Sequence, residues 1–406
     1  MKALKVKIVA LSIMVWGCTA GTEQPSSQTD DTRAEQSMTE VAGPEADATS
    51  TPISQPAVMV DTQSIEGIFS PAGLNSYVLE IEAALARSQA ELGIIPQSAA
   101  DEISATAHLA SIPQSEIDAE YQIVRHRMVA LLNVWRRRLG PDTANYLHYG
   151  ATTVDIYDSA RVLQLRAATR ALITDLRELE IGMIELAQAH RTTPMIGRTL
   201  GQHALPITFG KKVSGWIGEN RRHIDRLGDV LDRIERSVIM KGAVGSYLGL
   251  GAGGIEVERG VAMQLGLPAP YRDDWHAARD VFAEYANILA MISRSQGRIG
   301  QETFLLQTTD IAEVVERRPG TAVGSSTMPH KNNPSLSEAL IQRSRIIPRL
   351  AEIVGDDMIN MFERDNTSRP NQVLEEISIA SEDMLSESRR LISRLEVDPV
   401  RMRENL

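Results

Sequence analysis

The sequence predicts an all-α protein with a long central helical bundle and a smaller N-terminal helical domain. Apolar residues recur at helical spacing over several long stretches, and the alternation that marks half-buried strands is almost absent. Aromatic residues make up only 4% of the 406 residues, whereas alanine, leucine, arginine and glutamate are abundant, which favours long helices over a β-sandwich or barrel. A sheet-based dinucleotide-binding fold is therefore disfavoured.

The helical pattern divides into a short first part and a long second part. Val78, Ile81 and Leu85 share one helix face, and a glycine and a proline then supply a stop signal, which predicts a helical hairpin. Five longer helices are predicted over residues 159–190, 206–240, 275–306, 334–361 and 370–395, with a kink at Pro348 in the fourth. We expect an N-terminal helical domain over residues 59–155 and a central bundle over residues 156–396.

The first 58 residues are predicted to lie outside the folded domains. Three lysines precede an apolar run over residues 8–16, and Cys18 follows, which is the order of a bacterial lipoprotein export signal over residues 1–18. The apolar run is too short to cross a membrane, so attachment through a lipid on Cys18, in the periplasm or cell envelope, is expected. Residues 19–58 lack aromatic side chains and predict a disordered tether. The alternative is a cytosolic protein with a misassigned start.

Charge and composition exclude several classes of function. The formal charge of −11 argues against a nucleic-acid-binding protein, because contacts to backbone phosphates need a basic face. The eight histidines and the single cysteine show no metal-ligand spacing, and no nucleophile-elbow motif is present, so no metal or other cofactor is expected. The glycine-rich stretch at 242–254 lacks the ending of a phosphate-binding loop and is interpreted as a mobile linker. The richest polar segment is the loop at 320–334.

Three segments of the chain resemble one known family. Residues 324–333 contain Gly-Ser-x-x-Met-x-x-Lys-x-Asn, in which every fixed position of the fumarase/aspartase superfamily signature is present. Residues 148–155 and 193–206 are similar to the first and second conserved blocks of that family, in the same order. Residues 275–280 resemble its carboxymuconate cycloisomerase branch in particular, and adenylosuccinate lyase is a related member of the family. The chain is therefore expected to be an all-helical lyase of this family.

The resemblance implies a reaction mechanism for the signature loop. In this family a small polycarboxylate undergoes β-elimination, or the reverse addition, through a carbanion or aci-carboxylate intermediate. The first serine after the glycine, here Ser325, is the base, and Ser326 is expected to bind substrate. Lys331 and Asn333 suit stabilisation of the dianionic intermediate, because fixed donors usually supply the largest catalytic term.

The two blocks are expected to bind the small anionic substrate. Arg198, Thr199 and Gln202 match carboxylate-binding positions of the family, and the planar guanidinium can bind both carboxylate oxygens. For Arg198 the alternative is an ion pair at a helix start. His148 matches a family histidine and is a candidate catalytic residue. Further candidate substrate-binding residues are Thr152, Thr153 and Arg279.

The second block departs from the family at one position that matters for chemistry. Leu200 stands where fumarases and adenylosuccinate lyases carry a histidine that donates a proton to the leaving group. The carboxymuconate cycloisomerase branch also lacks this histidine, so the departure favours that branch. His203, three positions on, is a candidate alternative acid from the next helical turn.

The resemblance also predicts the assembly and leaves other functions open. Family members are homotetramers whose active sites are shared by three subunits, and the same assembly is expected here. Residues 397–406 resemble the beginning of the family's small C-terminal domain, which is expected to be absent. Leu200 and the absent domain keep open an exported, catalytically silent carboxylate-binding or scaffold protein. An ammonia-lyase of the aspartase kind is the second alternative enzyme.

Overall fold

The computed structural model describes residues 64–320, 326–328, 330–365 and 370–406, so the predicted export signal, Cys18 and the tether lie outside the described residues. Within these ranges the helices are α1 (Ile65–Phe69), α2 (Pro71–Glu91), α3 (Gln97–Thr106), α4 (Gln114–Val124), α5 (Arg127–Arg136), α6 (Thr153–Ala189), α7 (Phe209–Arg236), α8 (Gly254–Gln264), α9 (Asp280–Leu306), α10 (Ser335–Asp356), α11 (Pro370–Arg394) and α12 (Pro399–Glu404). Four short strands accompany them: β1 (Pro194–Thr199), β2 (Gln202–Thr208), β3 (Val314–Glu316) and β4 (Leu395–Val397). The all-α prediction is confirmed.

The five long helices form a closed bundle. Helix α6 packs against α7, α7 against α9, α9 against α10 and α10 against α11, and α11 returns to α6. The five correspond to the five predicted long helices, with differences of a few residues at most ends. Helix α10 continues through Pro348, which is buried inside it. None of the helices in the described ranges combines the length and apolarity needed to cross a lipid bilayer.

Neighbouring bundle helices alternate in direction, which gives the bundle two distinct ends. At the end where α6 begins, Asp155 contacts Lys241, just after α7, and Trp275, just before α9. We call this the proximal end. At the other end, Arg198 in the segment after α6 contacts Glu313, just after α9. We call this the distal end.

The smaller N-terminal helices pack on the proximal half of the bundle. Helix α2 lies against α3, α6 and α8, and α4 lies against α5. Ser70 caps α2 by accepting a hydrogen bond from the backbone of Gly73, and Pro71 occupies the first helical position, which suits the fixed φ of proline. The indole of Trp135, fully buried, donates to the hydroxyl of Thr106 at 2.8 Å, so its polar atom is satisfied inside the core.

The second conserved block is a β-hairpin and not the start of a helix. Strands β1 and β2 pair antiparallel, and Leu200 and Gly201 form the two-residue turn with φ values of 53° and 76°. Two successive positive φ angles match the twist of a tight hairpin. The register shifts at Gly197, where a Cβ would lie 2.9 Å from the carbonyl oxygen of Leu205. The expectation that His203 lies one helical turn beyond Leu200 is therefore wrong.

The glycine-rich segment at 242–254 packs on the start of α6, so its prediction as a mobile linker is wrong. The backbone N–H groups of Lys241 and Gly242 donate to the buried carboxylate of Asp155 at 3.1 and 2.8 Å. Gly249 lies directly against Gly150, with no room for a Cβ on either residue. These contacts fix both the entrance and the middle of the segment.

We predict that Gly150→Ala destabilises the fold more than Gly93→Ala. Both glycines have positive φ angles, 75° and 69°, so each substitution carries about 1 kcal/mol of backbone strain. A Cβ on residue 150 would also lie 2.5 Å from the carbonyl oxygen of Gly249, whereas nothing lies within 4 Å at residue 93. This overlap adds about 1–3 kcal/mol. Urea unfolding of the two variants measures the difference, and equal losses would contradict the contact.

Candidate active site

The proximal end is organised around one buried carboxylate. Asp155, in the first turn of α6, accepts hydrogen bonds from the backbone of Thr152, Lys241 and Gly242 and from the indole of Trp275, at 2.8–3.2 Å. Burial raises the pKa of Asp155, although all four donors act in the opposite direction. The candidate residues Thr152 and Thr153 are half-buried at this helix start. Asp155 therefore fixes the first block against the glycine-rich segment.

His148 lies beside this helix start and is paired with a second buried carboxylate. Its Nδ1 lies 2.6 Å from Oε1 of Glu82 on α2. Burial alone would lower the pKa of His148, but the charge and hydrogen bond of Glu82, together with the charge of Asp155, outweigh it and raise the pKa. Glu82 was not among the candidates from the sequence, because it lies in an ordinary helical pattern 66 positions before the histidine.

A cavity of about 620 Å³ opens at the same end of the molecule. It is lined by Tyr149, which follows His148, by residues 248–253 of the glycine-rich segment, and by Leu92 and Ile94 after α2. The segment interpreted as a linker from sequence therefore forms a wall of the cavity. The carbonyl oxygen of Lys241 accepts a hydrogen bond from the backbone N–H of Tyr247 in this segment at 2.7 Å. The buried ammonium of Lys241 donates to Glu258 at 2.8 Å.

Arg279 lies deep in the proximal end and does not face the cavity. Its side chain is 6% exposed and contacts the carboxylates of Asp158 and Asp357 at 3.0 and 3.2 Å. His276 shares Asp158 with it, at 2.5 Å. In this chain the guanidinium therefore lies in a buried ion-pair network. Binding of substrate by Arg279 stays a prediction.

The candidate residues of the second block lie on the hairpin at the distal end. Arg198 donates two hydrogen bonds to the fully buried Glu313, at 2.6 and 3.0 Å. The alternative interpretation of Arg198, a structural ion pair, is therefore observed, with Arg198 on strand β1 and not at a helix start. Thr199, Gln202 and His203 are exposed near the hairpin tip, and Leu200 at the tip is 100% exposed.

The C-terminal residues of the signature loop, 331–333, lie at the distal end and are held by hydrogen bonds. Ser325 lies outside the described residues, while Ser326 and Lys331 are exposed and Asn333 is half-buried. Asn332 donates to the carbonyl of Glu316 and accepts from Gln307, both at 3.0 Å. The carboxylate of Glu316 caps α10, accepting from the backbone of Leu336 and Ser337 at 2.9 Å.

The two conserved blocks lie far apart in a single chain. The first block ends in the first turn of α6, and the second begins just after α6 ends. A helix of 37 residues is about 55 Å long, at about 1.5 Å per residue. His148 and Arg198 therefore cannot contact one small substrate within the same copy of the chain. Within the described ranges, no three His, Cys, Asp or Glu side chains cluster as metal ligands.

Comparisons with known proteins agree with this architecture. A family model described as "Lyase" matches residues 57–348. The chain is 35% identical to N-acetyl-S-(2-succino)cysteine lyase of Dickeya dadantii, over 85% of this chain and 76% of the relative. It is 33% identical to 3-carboxy-cis,cis-muconate cycloisomerase of Pseudomonas aeruginosa, over 84% of this chain and 75% of the relative.

A solved structure shows the same fold. The crystal structure of fumarate lyase from Mesorhizobium sp. BNC1 superposes with a TM-score of 0.76 at 34% identity, covering 84% of this chain and 77% of that one. The family model spans well over half of the chain, and the helical bundle, the hairpin and the signature loop occur in the expected order. This chain therefore belongs to the fumarase/aspartase superfamily of lyases and cycloisomerases.

Proposed function

We propose that this protein cleaves a substituted succinate, or a related small polycarboxylate, by β-elimination with Ser325 as the base. The observation that carries the proposal is the complete signature loop at 324–333, in a chain whose fold is that of the lyase family. The relative named N-acetyl-S-(2-succino)cysteine lyase and the adenylosuccinate lyases support a succino group as the part of the substrate that is recognised. No metal or other cofactor takes part in this mechanism.

The proposed reaction breaks one C–H bond and one bond from carbon to a heteroatom. Ser325 removes the proton beside a carboxylate, and the resulting dianionic aci-form is stabilised by Lys331 and Asn333. The electron pair then forms the C=C bond of the enoate while the heteroatom leaves. Ser325 is a poor base in water, so the loop must exclude solvent and surround the serine with donors when substrate binds.

His148 is the best-supported donor of the proton that the leaving heteroatom needs. Its neighbouring carboxylates raise its pKa, so the protonated ring persists at a pH where an isolated histidine has lost the proton. His203 is exposed and, in the described part of the chain, forms no hydrogen bond that would orient it. The position of the usual family acid is Leu200, which cannot carry a proton.

We also propose a homotetramer in which different copies complete each site. The separation of about 55 Å along α6 supports this, because the first block needs a second block from another copy. Apolar side chains exposed on the bundle in the single chain support it further; they are Met291, Phe304, Leu305, Ile346 and Ile353. Such exposed apolar surface is typical of an interface.

For localisation, we propose export and lipid attachment at Cys18, on the order of charge, apolar run and cysteine in residues 1–18. Radiolabelled palmitate incorporation in wild type and Cys18→Ala tests the lipid. The alternative placement is cytoplasmic, and a protein found in the cytosol with its first residues intact would support it.

A catalytically silent carboxylate-binding protein is the second candidate function. One observation favours it: Leu200 stands at the position of the usual acid and cannot carry a proton. Calorimetry that shows fumarate binding, with no turnover over a panel of substituted succinates, would support this function. An aspartase-like ammonia-lyase is distinguished by release of ammonia from aspartate.

We predict that Ser325→Ala lowers kcat by about 10²–10⁴-fold, because the proton beside the carboxylate loses its acceptor. The measurement is the ultraviolet absorbance of the enoate product over a panel that includes N-acetyl-S-(2-succino)cysteine and adenylosuccinate. Ser326→Ala is the matched control and should mainly raise KM, since Ser326 is assigned to substrate binding. Equal kcat for wild type and Ser325→Ala would remove Ser325 from the mechanism.

We predict that mixing two inactive variants, Ser325→Ala and His148→Asn, restores activity. In shared sites, some sites of a mixed tetramer receive Ser325 from one copy and His148 from another. The two proteins are dissociated together in mild denaturant, reassembled and assayed, with each variant treated alone as the control. Activity no higher than that of the separately treated variants would contradict shared sites.

A further inference from the structure

Glu82 is a buried carboxylate whose one hydrogen bond within the described residues goes to His148. Its side chain is completely buried in α2, and Oε1 lies 2.6 Å from Nδ1 of His148. The other oxygen, Oε2, is also buried and has no hydrogen-bond partner among the described residues. Removing a carboxylate from water is costly unless a charged group compensates it. Burial of Glu82 therefore favours a protonated, positively charged His148.

The backbone holds the ring of His148 in one place. Residue 148 has a φ of 64°, in the left-handed region that non-glycine residues rarely adopt, so surrounding contacts must impose it. The carbonyl of Tyr149 accepts a hydrogen bond from Gln89 at 2.8 Å, and Gly150 lies against Gly249. These contacts fix the chain on the C-terminal side of the histidine.

The contact with Glu82 also determines which ring nitrogen is available. Because Nδ1 faces Glu82, Nε2 is the nitrogen left for the open side, and 15% of the side chain is exposed. No hydrogen bond to Nε2 is present within the described part of the chain. The cavity beside it is lined by the adjacent residue, Tyr149.

The charged groups facing His148 come from three helices. Glu82 on α2 and Asp155 on α6 favour the protonated ring, and Arg136 on α5 opposes it. The two carboxylates outweigh both the burial of the ring and the single guanidinium, so the pKa of His148 is raised.

We propose that Glu82 is a positioning residue: it holds the Nδ1–H of His148 and keeps the ring protonated, so that Nε2–H is presented to the leaving group of the substrate. The use of the proton rests on the proposed lyase function, whereas the Glu82–His148 pair does not. In the elimination, the Nε2 proton moves to the heteroatom as its bond to carbon breaks. The neutral ring keeps its Nδ1–H on Glu82 and regains a proton at Nε2 from solvent.

The pair is tested without any substrate by reaction of the full chain with diethyl pyrocarbonate. This reagent modifies only the unprotonated nitrogen, so the rate of modification at His148, followed by peptide mass mapping across pH, has its midpoint at the pKa of the ring. The wild-type midpoint is expected above the ordinary value of 6.5. Glu82→Gln keeps the acceptor oxygen and removes the charge, so its midpoint should fall by about one pH unit or more.

Glu80→Gln is the matched control on the same helix. Glu80 interacts with Arg87 and Arg166 and not with His148, so its loss should leave the His148 midpoint unchanged. The rate of modification at the exposed His126, measured in every sample, shows whether the reagent is equally reactive in each of them. An unchanged midpoint in Glu82→Gln, or a wild-type midpoint at or below the ordinary value, would overturn the proposal. If Glu82→Gln does not fold, a wild-type midpoint at or below the ordinary value still overturns the proposal.

The pH dependence of kcat separates this proposal from the lyase function itself. An acid that must be protonated gives a kcat that falls as pH rises through its pKa. In Glu82→Gln this fall should begin at a lower pH, by the same shift that the chemical modification shows. If the protein shows no turnover but His148 is modified with the expected midpoints, the lyase function is refuted and the Glu82–His148 interaction stands. Turnover with a fall in kcat that Glu82→Gln does not move would refute the role of Glu82.

Discussion

The proximal end of this protein depends on how one buried carboxylate is compensated. Asp155 sits in the first turn of the longest helix, away from water, where an unpaired charge would cost several kcal/mol. Four N–H donors surround it, and they come from the helix cap, from the residues just after α7 and from the indole of Trp275. Because these donors belong to three separate segments, satisfying Asp155 brings the three segments together. The cavity wall and the backbone of His148 are positioned as a result.

A second buried carboxylate, Glu82, is compensated by a partner that can change its charge. The donors around Asp155 are backbone and indole N–H groups, which do not titrate. Asp155 therefore fixes the positions of the segments that carry these donors. Glu82 has one hydrogen-bonding partner in the described part of the chain, and that partner is an imidazole that can carry a proton. The burial of the carboxylate then acts on the charge of its partner. At the distal end, Glu313 and Glu316 are also buried, but they bind a guanidinium and a helix start and so hold the hairpin and loop in place.

The bundle could be predicted from the sequence because helix periodicity is a local property. Each long helix carries its apolar stripe within its own residues, and the predicted and observed ranges agree to within a few residues at most ends. The β1–β2 hairpin was missed because it is short, contains a bulge at Gly197 and turns at Leu200–Gly201, without the usual turn sequence. The glycine-rich segment was misinterpreted as a linker because its partner, Asp155, lies almost ninety residues earlier in the chain.

The sequence by itself determined the family, the bundle helices and the chemistry expected of the signature loop, since these depend on residue types at fixed spacing. Tertiary structure decided which candidates are accessible. It buried Arg279 between two carboxylates, bound Arg198 to Glu313 and supplied Glu82 as the partner of His148. The physical reason is the same in each case: burial and ion pairing depend on residues distant in sequence, which spacing along the chain does not specify.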